Sequence, residues 1–74
     1  MNSQSQIAQT VSQNLKVWRT RRGLTQTEIA ERLGVSQSHF SRLELGKKSP
    51  SLRTLDRLAR ALEITVSDLT TVSD

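Results

Sequence analysis

A chain of 74 residues supports one domain, since a protein of this size buries only about 60% of the surface its unfolded form exposes. Eleven Lys and Arg against seven Asp and Glu give a formal charge of +4, which puts polyanions first among candidate partners, although mild basicity also serves solubility alone. The absence of cysteine excludes disulfide staples and thiolate metal sites, and no apolar run approaches the roughly 20 residues of a membrane span.

Apolar residues recur at intervals of three and four and never alternate with polar ones over a strand's length, so the expected fold class is all-α, with residues 1–74 forming a single domain. The first helix places Ile7, Val11, Leu15 and Trp18 on one stripe and ends at Gly23, with Arg19, Arg21 and Arg22 in its last turn, where cations suit the helix dipole. Trp18 is expected in the core or at a subunit contact. Thr25 and Glu28 form a capping box that starts a second helix, whose inner stripe is Ile29, Ala30 and Leu33 and whose stop is Gly34. Ser36 caps a third helix that runs to about Leu45, with Gly46 as its stop. After the turn at Ser49 and Pro50, Ser51 caps a fourth helix with Leu52, Leu55, Leu58, Ala59 and Leu62 inward. Thr65 and Asp68 start a short fifth helix that buries Val66 and Leu69. Residues 1–6 and 70–74 are expected to be flexible.

The third helix divides cleanly. With Gln37 set at zero, Ser41, Leu45, Ser38 and Arg42 fall at about 40°, 80°, 100° and 140°, whereas Leu43 and Phe40 fall at about 240° and 300°. His39 lies on the border. A helix seated by Phe40 and Leu43 that turns Gln37, Ser38, Ser41 and Arg42 outward suits the DNA major groove: Gln can pair with adenine through two hydrogen bonds, Arg with guanine, and Ser with base or phosphate. In isolation the same four residues also describe an ordinary solvated face. The surroundings favour the groove, because two short helices joined at Gly34, with small Ala30 allowing their close approach, form a helix-turn-helix.

Residues 14–69, and above all TQTEIAERLGVSQSHFSRLELGKKSPSLRTLDRLARAL, resemble the lambda-repressor-like, Cro/C1-type (XRE-type) helix-turn-helix domain of bacteria and phages. The resemblance implies a compact five-helix DNA-binding domain whose second and third helices form the motif. It assigns base reading to Gln37, Ser38, Ser41 and Arg42. Gln26, at the start of the second helix, matches a phosphate-binding position, and Lys47, Lys48 and Ser49 match a loop that follows the DNA backbone; His39, read from its place at the motif's edge and not from the resemblance, is expected at the DNA backbone or on the surface. Arg19 and Glu44 match a pair that in some members joins the first and third helices. The chain departs from the pattern at Leu45, where a polar residue is common; this side chain could touch a thymine methyl, pack on a partner or stand exposed. Ser38 is shorter than its usual counterparts, and Ile7 and Val11 extend the apolar stripe of a longer first helix.

Catalysis finds little support in one histidine without Cys or Tyr, and zinc would want about four ligands. GKKS resembles part of a phosphate loop but lacks the upstream glycine and a preceding strand. No enzyme activity, metal or cofactor is expected. The expected function is that of a sequence-specific transcriptional regulator, a repressor or controller acting as a homodimer on a pseudo-palindromic operator, with Ile64, Val66 and Leu69 as the subunit contact. Its partners would be double-stranded DNA and a second copy; a toxin, a polymerase or an effector domain is a further protein partner to consider. The location would be the cytoplasm of a bacterium, for a host or phage gene product. The competing reading is a protein-interaction module with a merely solvated third helix.

Overall fold

The structure is a computed structural model that describes residues 3–72. Those residues form five helices, α1 (Ser3–Arg21), α2 (Gln26–Leu33), α3 (Gln37–Glu44), α4 (Leu52–Leu62) and α5 (Val66–Thr70), and no strand. The local start signals act as their chemistry requires. Thr25 Oγ1 accepts from the Glu28 N–H at 3.1 Å while Glu28 Oε1 accepts from the Thr25 N–H at 2.9 Å, and Thr65 and Asp68 repeat the exchange at 3.1 and 3.0 Å. The bonds from the Thr25 backbone and hydroxyl hold the Glu28 carboxyl below the ordinary carboxylate range. Ser36 and Ser51 cap α3 and α4 through the N–H groups of His39 and Thr54.

The helix ends share one device. After α2, the Val35 N–H reaches Ala30 O at 3.0 Å and the Gly34 N–H reaches Glu31 O at 3.1 Å; after α4, Ile64 and Glu63 make the equivalent bonds to Ala59 O and Arg60 O at 2.9 and 3.2 Å. This pairing needs a left-handed residue at the turn. Gly34 supplies it at φ 70°, but Glu63 adopts φ 58° with a side chain attached, at a cost of about 1–2 kcal/mol. Arg22 holds that strained turn, its Nε donating to Leu62 O at 2.8 Å and its Nη2 to Glu63 O at 3.1 Å.

The core lies where α1 packs on α3 and α5, α2 on α3 and α4, and α4 on α5. Phe40, Leu15, Ile29, Leu58, Leu62, Leu69 and Val11 are fully buried in it. Each such side chain contributes about 1.5–3 kcal/mol relative to exposure. Two polar residues are buried with them. Asn14 Nδ2 donates to Leu69 O at 2.7 Å and to Thr71 O at 2.9 Å, fastening the end of α5 to α1, and Ser12 Oγ donates to Gln9 O at 2.9 Å. Gly46 passes so close to Ser12 that an added Cβ would sit 3.3 Å from its hydroxyl oxygen.

Three expectations change. The stripe of α1 turns toward Ala8 and away from Ile7, which is 53% exposed, because the buried face runs through Ala8, Val11, Ser12 and Leu15. Leu52 is 83% exposed in the first turn of α4, where no element covers it. Leu69, assigned to a subunit contact, is fully buried in the monomer's own core and has no surface to offer a partner. Of the ends expected to be flexible, residues 1–2 and 73–74 lie outside the described residues; α1 begins at Ser3, and Thr71 is held by Asn14. Among the described residues no helix is long and apolar enough to cross a membrane.

Candidate nucleic-acid interface

α3 is seated by Phe40 and Leu43, 0% and 2% exposed, against α2, whose Ala30 leaves room for the approach. Its backbone stays helical through Leu45 (φ −86°, ψ −3°), and the chain then turns at Gly46. The opposite side is open: Gln37, Ser38 and Arg42 are exposed and Ser41 is half-buried between them. These four outward residues therefore share the face that the helical period assigns to them.

The N-terminal end of that face is tied to the rest of the fold. Arg19 grips Glu44 with two parallel bonds, Nε to Oε2 at 2.7 Å and Nη2 to Oε1 at 2.9 Å, and its Nη1 donates to Leu24 O at 2.8 Å. The two side chains are only 16% and 6% exposed. Burial alone would raise the Glu44 pKa, but hydrogen bonds from Arg19 and Gln26 and the charges of Arg19 and Lys16 outweigh it and hold the carboxyl below its ordinary range. The same partnership, first through the hydrogen bond, raises Arg19. From Glu44 the network runs outward. Gln26 Nε2 donates to Glu44 Oε1 at 3.1 Å, Gln37 Nε2 donates to Gln26 Oε1 at 3.5 Å, and Thr27 Oγ1 donates to Gln37 Oε1 at 3.3 Å. One amide N–H and one oxygen lone pair of Gln37 stay available, which is the pair an adenine edge requires.

Charge is divided between structure and surface. Arg19 is paired with Glu44, Arg60 with Asp56, and Arg22, Arg32 and Arg57 donate to the carbonyls of Leu62, Ala61 and Leu33 at the ends of neighbouring helices. Arg21 and Arg22 lie over the Trp18 ring, 5.1 and 5.5 Å from its centroid, at the edge of the core. Among the described residues the cations without such a partner are Lys16, Arg42, Lys47, Lys48 and Arg53. Four of these five stand on α3, the loop after it or the first turn of α4.

The structure thus brings together Gln26, Gln37, Ser38, Ser41, Arg42, Lys47, Lys48 and Ser49 along α3 and its flanks. His39 stands apart: half-buried, it lines a cleft with Leu33, Val35, Leu43, Thr54 and Arg57, on the side that faces α4. Ile64 and Val66 are half-buried and pack against the core. Sequence reasoning missed Thr27, which carries no local signal beyond its place one residue after Gln26, and Arg57, which caps a helix 24 residues away in sequence.

A protein-family profile described as helix-turn-helix (HTH_3) matches residues 15–69. The chain belongs to the Cro/C1-type (XRE-type) helix-turn-helix family of transcriptional regulators. It is 41% identical over 64 residues to an uncharacterised HTH-type transcriptional regulator of Sinorhizobium fredii, covering 86% of this chain and 83% of that protein. It is 43% identical over 58 residues to the immunity repressor protein of Bacillus phage phi105, covering 78% of this chain and 40% of the repressor. The chain thus spans most of the first relative and less than half of the second. It also matches the crystal structure of the restriction-modification controller protein C.AhdI from Aeromonas hydrophila, with a TM-score of 0.79 and 32% identity, over 84% of this chain and 94% of that one. These relatives are named for regulation and not for enzyme activity.

Proposed function

We propose that the chain is a sequence-specific repressor or controller that binds a pseudo-palindromic duplex as a homodimer. The observation that carries this reading is the distribution of unpartnered cations: Lys47, Lys48 and Arg53 flank the face of α3 that turns an amide, two hydroxyls and the Arg42 guanidinium outward. Arg53 sits in the first turn of α4, the end where a cation gains nothing from the helix dipole. In this reading Gln37 and Arg42 read bases, Ser38 and Ser41 assist at base or phosphate, and Gln26, Lys47, Lys48 and Ser49 set the register on the backbone. The names of two relatives, an immunity repressor and a restriction-modification controller, agree with it.

The domain measures 33 × 23 × 19 Å, so two copies joined end to end along the long axis would set their centres near a half-site spacing of about 34 Å. With Leu69 enclosed, the contact between copies falls either to Ile64 and Val66 or to the exposed Ile7, Val17 and Val72 on α1 and beyond α5, which are 53%, 45% and 70% exposed. Selection of bound duplexes from a random pool, followed by sizing of the complex, tests the whole reading. A two-fold symmetric site holding two chains supports it. Absence of salt-sensitive duplex binding overturns it, and an asymmetric site with one chain overturns the dimer. Loss of the dimer in Val72→Asp assigns the contact to the α1 side; its retention assigns the contact to Ile64 and Val66.

A further inference from the structure

Leu45 is 65% exposed, and it lies at about 80° on the wheel of α3, in the middle of the arc from Gln37 to Arg42. As the C-terminal cap of α3 it keeps an αR backbone, with its N–H bonded to Ser41 O at 2.9 Å, so its Cα–Cβ direction continues that arc. Among the described residues it shares its cleft with Arg42, Lys47 and Lys48. An isolated leucine among three cations cannot be serving the core. Nor does it suit a contact between two copies, which would bring three like charges from each chain face to face. A phosphate gains nothing from it.

We propose that Leu45 is a specificity-determining residue that reads the 5-methyl group of a thymine, an inference that rests on the DNA-binding reading given above. The three cations hold the groove wall against this end of α3, and the short side chains of Ser38 and Ser41 let the helix sit deep enough for the leucine to reach a base edge. The thymine methyl is the apolar group that the major groove displays for such a contact. Transfer of one methyl group from water to an apolar contact corresponds to about a fourfold change in affinity.

The test uses the duplex that the wild-type protein selects from a random pool, remade with deoxyuridine at each thymine in turn. Wild-type affinity should fall about fourfold at one thymine per half-site and hold elsewhere. Leu45→Ala, at an exposed position, should melt at the wild-type temperature, bind the parent duplex with the same fourfold loss and be indifferent to deoxyuridine at that thymine. If the wild-type protein ignores every thymine-to-deoxyuridine change, or if Leu45→Ala keeps the wild-type penalty, the assignment is wrong while DNA binding stands. If no duplex is selected and none is retained at low salt, both readings fall together.

Discussion

The two ends of the outward face of α3 are built differently. Gln37, at the N-terminal end, belongs to a chain of hydrogen bonds that passes through Gln26 to the enclosed Glu44 and Arg19. Arg42 and Leu45, at the other end, have no side-chain bond to the rest of the fold, nor do Lys47 and Lys48 beside them, among the described residues. The first arrangement fixes a side chain before any ligand arrives, which lowers the ordering cost of recognition. The second keeps charge available for a partner that the monomer does not contain. A substitution in the enclosed part of the first network, at Arg19 or Glu44, should therefore strike stability and binding together, and one at the second end binding alone.

The largest effect that could break this contrast is at Glu44. Glu44→Ala strands the Arg19 guanidinium in a site where it is 16% exposed, and should cost about 3 kcal/mol of stability. A melting temperature lowered by more than about 10 °C would register it. Acid should act on the same group. Because the folded Glu44 carboxyl binds its proton less readily than the unfolded chain's, the stability it contributes is complete above the ordinary value of 4.5 and is lost as the pH falls below it. Glu28 adds to the loss in the same direction. Urea midpoints measured from pH 6 to 3 should fall, and Glu44→Gln should flatten part of that fall.

Substitutions at the other end come next in size. Arg42→Ala should weaken the selected duplex by about 1–3 kcal/mol and relax preference at one base pair, with an unchanged melting temperature. Lys47→Ala should weaken specific and random duplexes alike and reduce the slope of log affinity against log salt by about one. Equal losses for both variants on both kinds of duplex would erase the distinction between reading and positioning. Thr27→Val is the smallest change. It removes a 3.3 Å bond to Gln37 and should cost under about 1 kcal/mol of affinity, with little effect on folding.

Much of this was legible because it is local. Capping boxes need only residues three positions apart, and Thr25 with Glu28 and Thr65 with Asp68 form them as read. The inward seating of Phe40 and Leu43 follows from the helical period. The pairing of Arg19 with Glu44 was available through the family resemblance, which supplied a contact between residues 25 positions apart. Periodicity failed where a neighbour decides the outcome. Ile7 and Leu52 fit their stripes, yet the buried face of α1 runs through Ala8 instead and no element covers the first turn of α4, whereas Leu69 is enclosed by the core and held there from behind by Asn14. Composition could count eight arginines, but which of them cap neighbouring helices and which face outward depends on how α2 and α4 approach, and no stretch of sequence carries that.

The central claim is that the outward flank of α3 is the DNA-contacting surface. Amide chemical-shift mapping of the isotope-labelled protein titrated with its selected duplex tests it most directly. The largest changes should fall at Gln26, Gln37, Ser38, Ser41, Arg42, Leu45 and Lys47, with α5 nearly unmoved. Changes concentrated on α1 and α5, with the α3 amides unaffected, would contradict it.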